Sequence, residues 1–326
     1  MTHSGMKLVY LSRADVERVA LPMSAILVAL EEMFREKGEG RVEMPPKPGI
    51  HPRPDAFIHA MPAYIPALGS AGMKWVSGFP DNQRRGLPYI TGLLILNDPE
   101  TGVPLAVMDC TWITAMRTGA ATAVAAKHLA RPESASVGIV ACGVQGRSNL
   151  EALAEVFALE RVRAYDIHRE VAERFAAEMG TQLGLAIEVV DSARAAVEGL
   201  DLVVTSGPIL KHPDPVIEAG WLAPGSFASA VDFDSYFQSA ALHQADRLVT
   251  DDLPQMEYYR KLGYFQGTPP ADSELGEIVC GKKPGRRSAD ERAICMNLGI
   301  ALDDMATAIR IHRRALDLGI GTWLPL

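Results

Sequence analysis

Apolar positions recur on one helical face from about Pro22 to Lys37, with Pro at the first turn and Gly38 and Gly40 where a C-cap belongs. This spacing predicts the first long helix. Residues 43–54 carry five prolines in twelve positions. An extended, stiffened loop follows, because proline fixes φ and disfavours helix in the residue before it. From Ala56 to Asp109 the pattern turns strand-like. Tyr89–Leu96 and Val103–Met108 are β-rich runs flanking Asn97-Asp98-Pro99-Glu100-Thr101-Gly102, which reads as a hairpin loop. Trp112 to Leu129 then reads as a long Ala-rich helix.

After Pro132 the character changes. Val137–Ala141 is a short apolar run of the kind buried on both faces of a parallel sheet. A Gly-containing turn follows, then a helix over about 147–159 and a strand at Arg161–Asp166. The alternation continues through Ile187–Val190, Leu202–Thr205, Phe227–Val231 and Arg247–Thr250, which predicts a doubly wound parallel sheet. A last helix, about Ile300 to Leu318, lies beyond that sheet and is expected to return to the first domain.

Composition sets bounds on this picture. At about 150 residues per domain, 326 residues suggest two domains, and 48% hydrophobic with 22% charged residues is an ordinary globular balance. The net charge of −8 argues against nucleic acid as a partner, since phosphate neutralisation needs clustered Lys and Arg. Cys110, Cys142, Cys280 and Cys295 form no CxxC pair and no metal-ligand spacing, so a reducing compartment and no metal are expected. The N-terminus MTHSGMKLVYLSRADVERVA lacks an apolar h-region, and Leu21–Leu30 falls short of the roughly 20 residues of a membrane span. A cytoplasmic protein with no membrane partner is the expectation.

The turn after the first parallel strand, Ala141-Cys142-Gly143-Val144-Gln145-Gly146, is GxGxxG with alanine for the first glycine. Gly143 would let the backbone approach a pyrophosphate at the helix N-terminus. Asp166, ending the second strand, suits an adenosine ribose diol and repels a 2′-phosphate, favouring NAD(H) over NADP(H). His168 and Arg169 nearby keep NADP(H) open. A glycine turn without nucleotide is the plain alternative.

Met73-Lys74-Trp75-Val76-Ser77, Thr101–Asp109, Ile113-Thr114-Ala115-Met116-Arg117-Thr118-Gly119-Ala120 and Gly143-Val144-Gln145, in that order, resemble the ornithine cyclodeaminase/mu-crystallin family. The likeness continues into Gly285-Arg286 and Gly299–Asp304. It implies an α/β fold in which a Rossmann-type doubly wound sheet (residues 119–302) is inserted into a mixed α+β substrate and dimerisation domain (1–118 with 303–326). The implied activity is NAD(H)-dependent oxidation or reduction at the α C–N bond of a small amino or imino acid, in a homodimer. Cyclodeamination of ornithine or lysine, and crystallin-like binding without turnover, are the alternatives.

The resemblance makes Lys74 the active-site lysine. Its apolar flanks set it in a partly dry cleft where it can hold a substrate carboxylate or yield its proton; a snorkelling strand lysine is the alternative. Arg117, on an apolar helix start, suits a bidentate carboxylate grip or else a structural interdomain ion pair. Lys47, matched to a family arginine, is either a further cation or a solvated loop lysine. Asp232 aligns with the family's catalytic aspartate and would handle the proton on nitrogen, or cap a helix. The usual glycine- and lysine-containing sequence after it is replaced by Phe233-Asp234-Ser235-Tyr236-Phe237, leaving Asp234 in reserve.

His59 stands two residues before Met61-Pro62, where cyclodeaminases carry a glutamate for the distal amine. Imidazole is a poor partner for an ammonium and a proton donor to an imine, or else a buried structural histidine. Thr91 is included among the substrate-binding positions. Gly143, Val144, Gln145 and Gly146 are expected around the pyrophosphate with Thr118. Thr205 and Ser206 are expected along the adenosine or ribose, and Asn297 near the nicotinamide amide. Cys142 is expected beside the cofactor as an inert thiol.

Overall fold

The computed structural model describes residues 5–53 and 55–326, so Pro54 of the proline-rich loop and the first residues of the N-terminal stretch lie outside the described residues. The chain divides into two compact units, Met1–Arg117 with Ile300–Leu326, and Thr118–Gly299.

The first unit is built on a seven-stranded sheet. In chain order its elements are β1 (Lys7–Leu11), α1 (Arg13–Val19), α2 (Met23–Gly38), β2 (Gly49–Ile50), β3 (Phe57–Ile65), β4 (Ser70–Gly78), β5 (Ile90–Asn97) and β6 (Pro104–Asp109). The helix α3 (Thr111–Leu129) crosses the unit boundary between Arg117 and Thr118. Strands β3 to β6 form an antiparallel meander, closed at the expected hairpin by Asn97 Nδ2 donating to the Gly102 carbonyl at 2.9 Å. The proline-rich segment contributes β2, which pairs with β3 at the sheet edge.

The second unit carries an eight-stranded sheet whose pairings are all parallel. Its elements are β7 (Ser136–Val140), α4 (Val144–Ala154), β8 (Arg161–Tyr165), α5 (Arg169–Leu183), β9 (Ile187–Val189), α6 (Ala193–Val197), β10 (Leu202–Thr205), β11 (Phe227–Ala230), α7 (Ser239–Gln244), β12 (Arg247–Thr250), α8 (Leu253–Lys261), β13 (Ser273–Glu274), α9 (Leu275–Val279) and β14 (Ala293–Met296). The order β13-β12-β14-β11-β10-β7-β8-β9 reverses direction at β7 and β10, the kind of switch point at which open α/β sheets bind ligands. Apolar pattern alone does not reveal β14. Four residues between polar flanks become a central strand only because β11 and β12 hydrogen-bond to either side of it.

The chain then returns to the first unit as α10 (Ala301–Leu318) and β15 (Thr322–Pro325), which pairs antiparallel with β1. Ser70 Oγ donates to the Met305 carbonyl at 2.8 Å and Arg314 Nε to the Val19 carbonyl at 2.7 Å, tying α10 to β4 and α1. Its first three turns are buried on every side, so this helix forms the core under the sheet.

Close backbone approach explains one glycine in β7. A Cβ on Gly138 would lie 1.7 Å from the Ala196 carbonyl oxygen, a backbone atom that cannot swing aside as a side chain can. Gly138→Ala should destabilise the protein by about 1–3 kcal/mol, read as a lower urea midpoint.

Candidate functional site

Alternation along β4 sends Ser70, Lys74 and Val76 to the covered side of the sheet and Trp75 to the other. Lys74 is only 1% exposed. Its Nζ lies 2.7 Å from Asp304 Oδ2 and donates to Thr114 Oγ1 at 3.4 Å. Arg117, one helical turn beyond Thr114 on α3, faces the same place. Its Nε is 3.2 Å from Asp304 Oδ1, and its Nη1 is 3.3 Å from Asp303 Oδ2. Both acids are fully buried in the first turn of α10, where negative charge also meets the positive end of the helix dipole. Burial pulls the Lys74 ammonium below the usual lysine range, while Asp304 opposes that fall.

Two expectations are refined here. The Arg117 fork is turned toward Asp303 and Asp304, so the cation expected to grip a substrate is also shared with two buried acids. The ion pair lies within the first unit, not between domains. Asp303 and Asp304, though within the Gly299–Asp304 stretch of the family likeness, had no role assigned from the sequence. Their signal was present: two adjacent acids opening a helix whose neighbours Ile300, Ala301 and Leu302 are apolar.

Lys47 is buried, not solvated. His59 packs face to face on Phe57, with ring centroids 4.2 Å apart, and lies against Gly49, where a Cβ would come within 2.1 Å of the ring. Burial first, then the charges of Lys47, His51 and Lys74, push its imidazole down to about 3. The lowered pKa leaves His59 neutral near pH 7, a state in which it offers a hydrogen bond more readily than a proton. Thr91 is also corrected. It pairs with Ser77, whose Oγ is 2.9 Å from Thr91 Oγ1, and strand alternation puts both on the sheet face opposite Lys74.

In the second unit α4 begins at Val144, so Gly143 is the N-cap and Gln145 and Gly146 already sit in the first turn. Ala141 stands in the left-handed region at φ 73°, the conformation for which the fingerprint usually supplies glycine. The strain, about 1–2 kcal/mol for a residue with a Cβ, is offset on both sides. Its N–H donates to the Tyr165 carbonyl at 2.8 Å, and its own carbonyl accepts from Ser206 Oγ at 2.7 Å. Gly146 must be small, since a Cβ would approach the Ala141 oxygen to 2.7 Å. Gly143 differs: nothing lies within 4 Å of its missing Cβ. The protein's own packing does not require glycine there, whereas a diphosphate on the uncapped helix terminus would.

Asp166 accepts from the Cys142 N–H at 2.9 Å and the His168 N–H at 3.0 Å, fixing the turn at the end of β8. Arg169 is engaged by Glu173 and Asp191. Burial raises the Cys142 thiol to about 12, which keeps it protonated. Thr118 is buried on α3 and Val144 is exposed on α4. Gln145 Oε1 accepts from Ser148 Oγ at 3.3 Å.

Three residues expected along the cofactor have partners within the protein. Ser206 donates to the Ala141 carbonyl, and Thr205 donates to Asp232. Asn297 Nδ2 donates to Ser229 Oγ at 2.9 Å within a buried network that includes Thr122, tying the end of β14 to α3. A buried amide already paired in this way serves the fold first.

Asp232 lies just past β11 and is fully buried. Its Oδ1 accepts from Thr205 Oγ1 at 2.8 Å and its Oδ2 from the Gly207 N–H at 3.0 Å, both at the end of neighbouring β10. Burial raises its carboxyl to about 7 in spite of those two bonds. Asp234 instead accepts from Thr268 Oγ1 at 2.9 Å. Phe233 between them holds φ 62°, a glycine-like turn without the glycine. Its ring is locked among Tyr259, Tyr264 and Phe265 at centroid distances of 4.9–5.6 Å. Among the described residues no group of His, Cys, Asp and Glu is arranged to hold a metal, and no helix is long and apolar enough to cross a membrane.

A parallel sheet with a glycine turn, an acid on the next strand and a switch point defines a Rossmann-type dinucleotide-binding unit, here joined to a unit that buries cations under a mixed sheet. Residues 6–319 match the ornithine cyclodeaminase/mu-crystallin family, and the chain belongs to it. It is 36% identical to the nodulation efficiency protein NfeD of Rhizobium meliloti over 96% of this chain and 97% of that one. Among solved structures it resembles the Δ1-pyrroline-2-carboxylate reductase of Thermococcus litoralis in complex with NADH and L-proline. The TM-score is 0.88 and the identity 35%, covering 97% of this chain and 99% of that one. An archaeal alanine dehydrogenase dimer with bound NAD gives a TM-score of 0.88 at 34% identity, covering 98% and 100%.

The open space at Gly143 yields a direct test. Gly143→Ala should weaken NADH binding at least about tenfold, roughly 1.4 kcal/mol, by fluorescence titration. Its melting temperature without nucleotide should stay within about a degree of the parent's, because φ is −75° there and alanine adopts it.

Proposed function

We propose that this protein is an NAD(H)-dependent oxidoreductase acting at the α C–N bond of a small amino or imino acid, as an imine reductase or amino-acid dehydrogenase. The observation that carries the reading is the combination of two chemistries in one chain. The first unit buries Lys74 and Arg117, cations suited to a substrate carboxylate. The dinucleotide-binding unit ends β11 in a carboxyl poised near neutrality. When bound, the nicotinamide supplies the hydride acceptor or donor.

In this reading Lys74 and Arg117 hold the carboxylate, with Lys47 as a further cation. Asp232 accepts the proton released by the substrate nitrogen in the oxidative direction and returns it in the reductive one. Asp166, with Arg169 occupied by acids, favours NAD(H) over NADP(H). The neutral His59 among Lys47, His51 and Lys74 offers no countercharge for a distal ammonium, which disfavours ornithine and lysine as substrates. The NADH-bound reductase and NAD-bound alanine dehydrogenase relatives support the same class.

The outer face of the first sheet supports a homodimer. Trp75 opposite Leu93, and Tyr10 opposite Val107, are large apolar pairs on that face, with Trp75 44%, Leu93 45% and Tyr10 36% exposed. A patch of this kind fits a second copy of the same sheet. Sedimentation should give a dimer, and Trp75→Arg should shift it toward monomer.

The activity is tested by following NADH absorbance with a panel of cyclic imino acids, and of 2-oxo acids plus ammonia. Steady consumption is expected with at least one. Ammonia release from ornithine or lysine without net NADH change would establish the cyclodeaminase instead, and silence in both would leave a binding protein. Asp232→Asn should lower kcat by roughly 100-fold or more. The sign with pH follows from a carboxyl near 7. Below that pH it is protonated and serves reduction; above it, it is ionised and serves oxidation, so the two rates should move oppositely through neutrality. Because folding raises this pKa, ionisation costs stability as pH rises from about 4 to 7. Asp232→Asn should therefore lose less stability than the parent between pH 5 and pH 8.

A further inference from the structure

We propose that Asp304 is a positioning residue whose single carboxylate holds Lys74 and Arg117 in place together and keeps Lys74 protonated. Only the consequence for substrate binding rests on the function proposed above. The geometry is specific. One oxygen of Asp304 meets Lys74 Nζ at 2.7 Å and the other meets Arg117 Nε at 3.2 Å, with Lys74 and Asp304 inaccessible to water. Two cations drawn together in a dry interior repel each other and lose hydration, and each change favours release of the lysine proton. Arg117 cannot release its proton, so Lys74 is the member that yields.

The other groups facing Lys74 do not share this task. Thr114, on α3, is neutral. Cys110, at the end of β6, has its thiol pushed up to about 11 by burial and stays protonated. His59, on β3, is neutral above about 3. Asp303 pairs with Arg117, and its Oδ2 also accepts from the Ile300 N–H at 3.4 Å, whereas the carboxylate 2.7 Å from Lys74 Nζ is that of Asp304. Asp304 is thus an acid in direct contact with the lysine, and it reaches that position because α10 returns to lie under β4.

The proton on Lys74 can be read without catalysis by NMR titration of 13Cε-labelled lysine in the full-length protein, with Lys74→Arg identifying the signal. Asp304→Asn should lower the Lys74 midpoint by one pH unit or more, a tenfold change in proton affinity, whereas Asp303→Asn should move it far less. An unmoved midpoint in Asp304→Asn, or an equal shift in Asp303→Asn, overturns the proposal. Should Asp304→Asn not fold, Asp304→Glu keeps the charge and should hold the midpoint within about half a pH unit; a fall of a unit or more overturns it. The kinetic arm uses NADH and the imino acid consumed by the parent. KM should rise at lower pH in Asp304→Asn than in the parent, with kcat changed less, and Lys74→Arg should lack that limb. A Lys74 midpoint that behaves as expected in a protein that consumes no imino acid would refute the function and leave the role of Asp304 standing.

Discussion

Two cations with almost no access to water must be answered by anions in the same place, and the first unit is arranged around that requirement. Lys74 comes from the middle of a sheet, Arg117 from the helix that leaves it, and Asp303 and Asp304 from a helix that begins about 180 residues later in the chain. Removing one member of such a buried group typically costs 3–5 kcal/mol, because its partner is left uncompensated. The return of α10 is therefore an electrostatic necessity as well as a means of covering the sheet. The same helix delivers the apolar surface that buries β3 and β4 and the charges that make Lys74 tolerable there.

The dinucleotide-binding unit solves a different problem, that of holding backbone turns in shapes normally reserved for glycine. Ala141 and Phe233 both occupy the left-handed region, each at the carboxyl end of a parallel strand. Ala141 is held by hydrogen bonds on both faces of its peptide unit, to Tyr165 and from Ser206. Phe233 is held by its ring in an aromatic cluster. Local strain of this size persists only where the surroundings over-determine it. Here the strained residues adjoin the glycine turn and the buried Asp232, so the packing that holds the strain also fixes the groups assigned to chemistry.

Hydroxyl and amide side chains that sequence position assigns to cofactor turn out to support other residues. Thr205 and the Gly207 amide hold Asp232 against the full effect of burial, so that its carboxyl comes to rest near neutrality. Ser206 and Asn297 likewise spend their hydrogen bonds inside the protein. Hydrogen bonds of this kind orient the groups they reach.

Much of this was legible in the chain. The long helices, the meander, most parallel strands and the glycine turn follow from periodicity and local steric rules, which operate over a few neighbouring residues. Lys74 and Asp232 stood out through the family resemblance, and the apolar flanks of Lys74 and Arg117 added that a charge there is costly wherever the run folds. The rest depended on partners far away in sequence. The strand β14 is defined by neighbours on both sides, the His59 imidazole is pushed down by burial among cations, and Thr91 lies on the sheet face opposite Lys74. Asp304 became visible only when α10 met β4. Local pattern records what each segment prefers, whereas charge state and contact are set by which segments come together and exclude water, and those are properties of the folded whole.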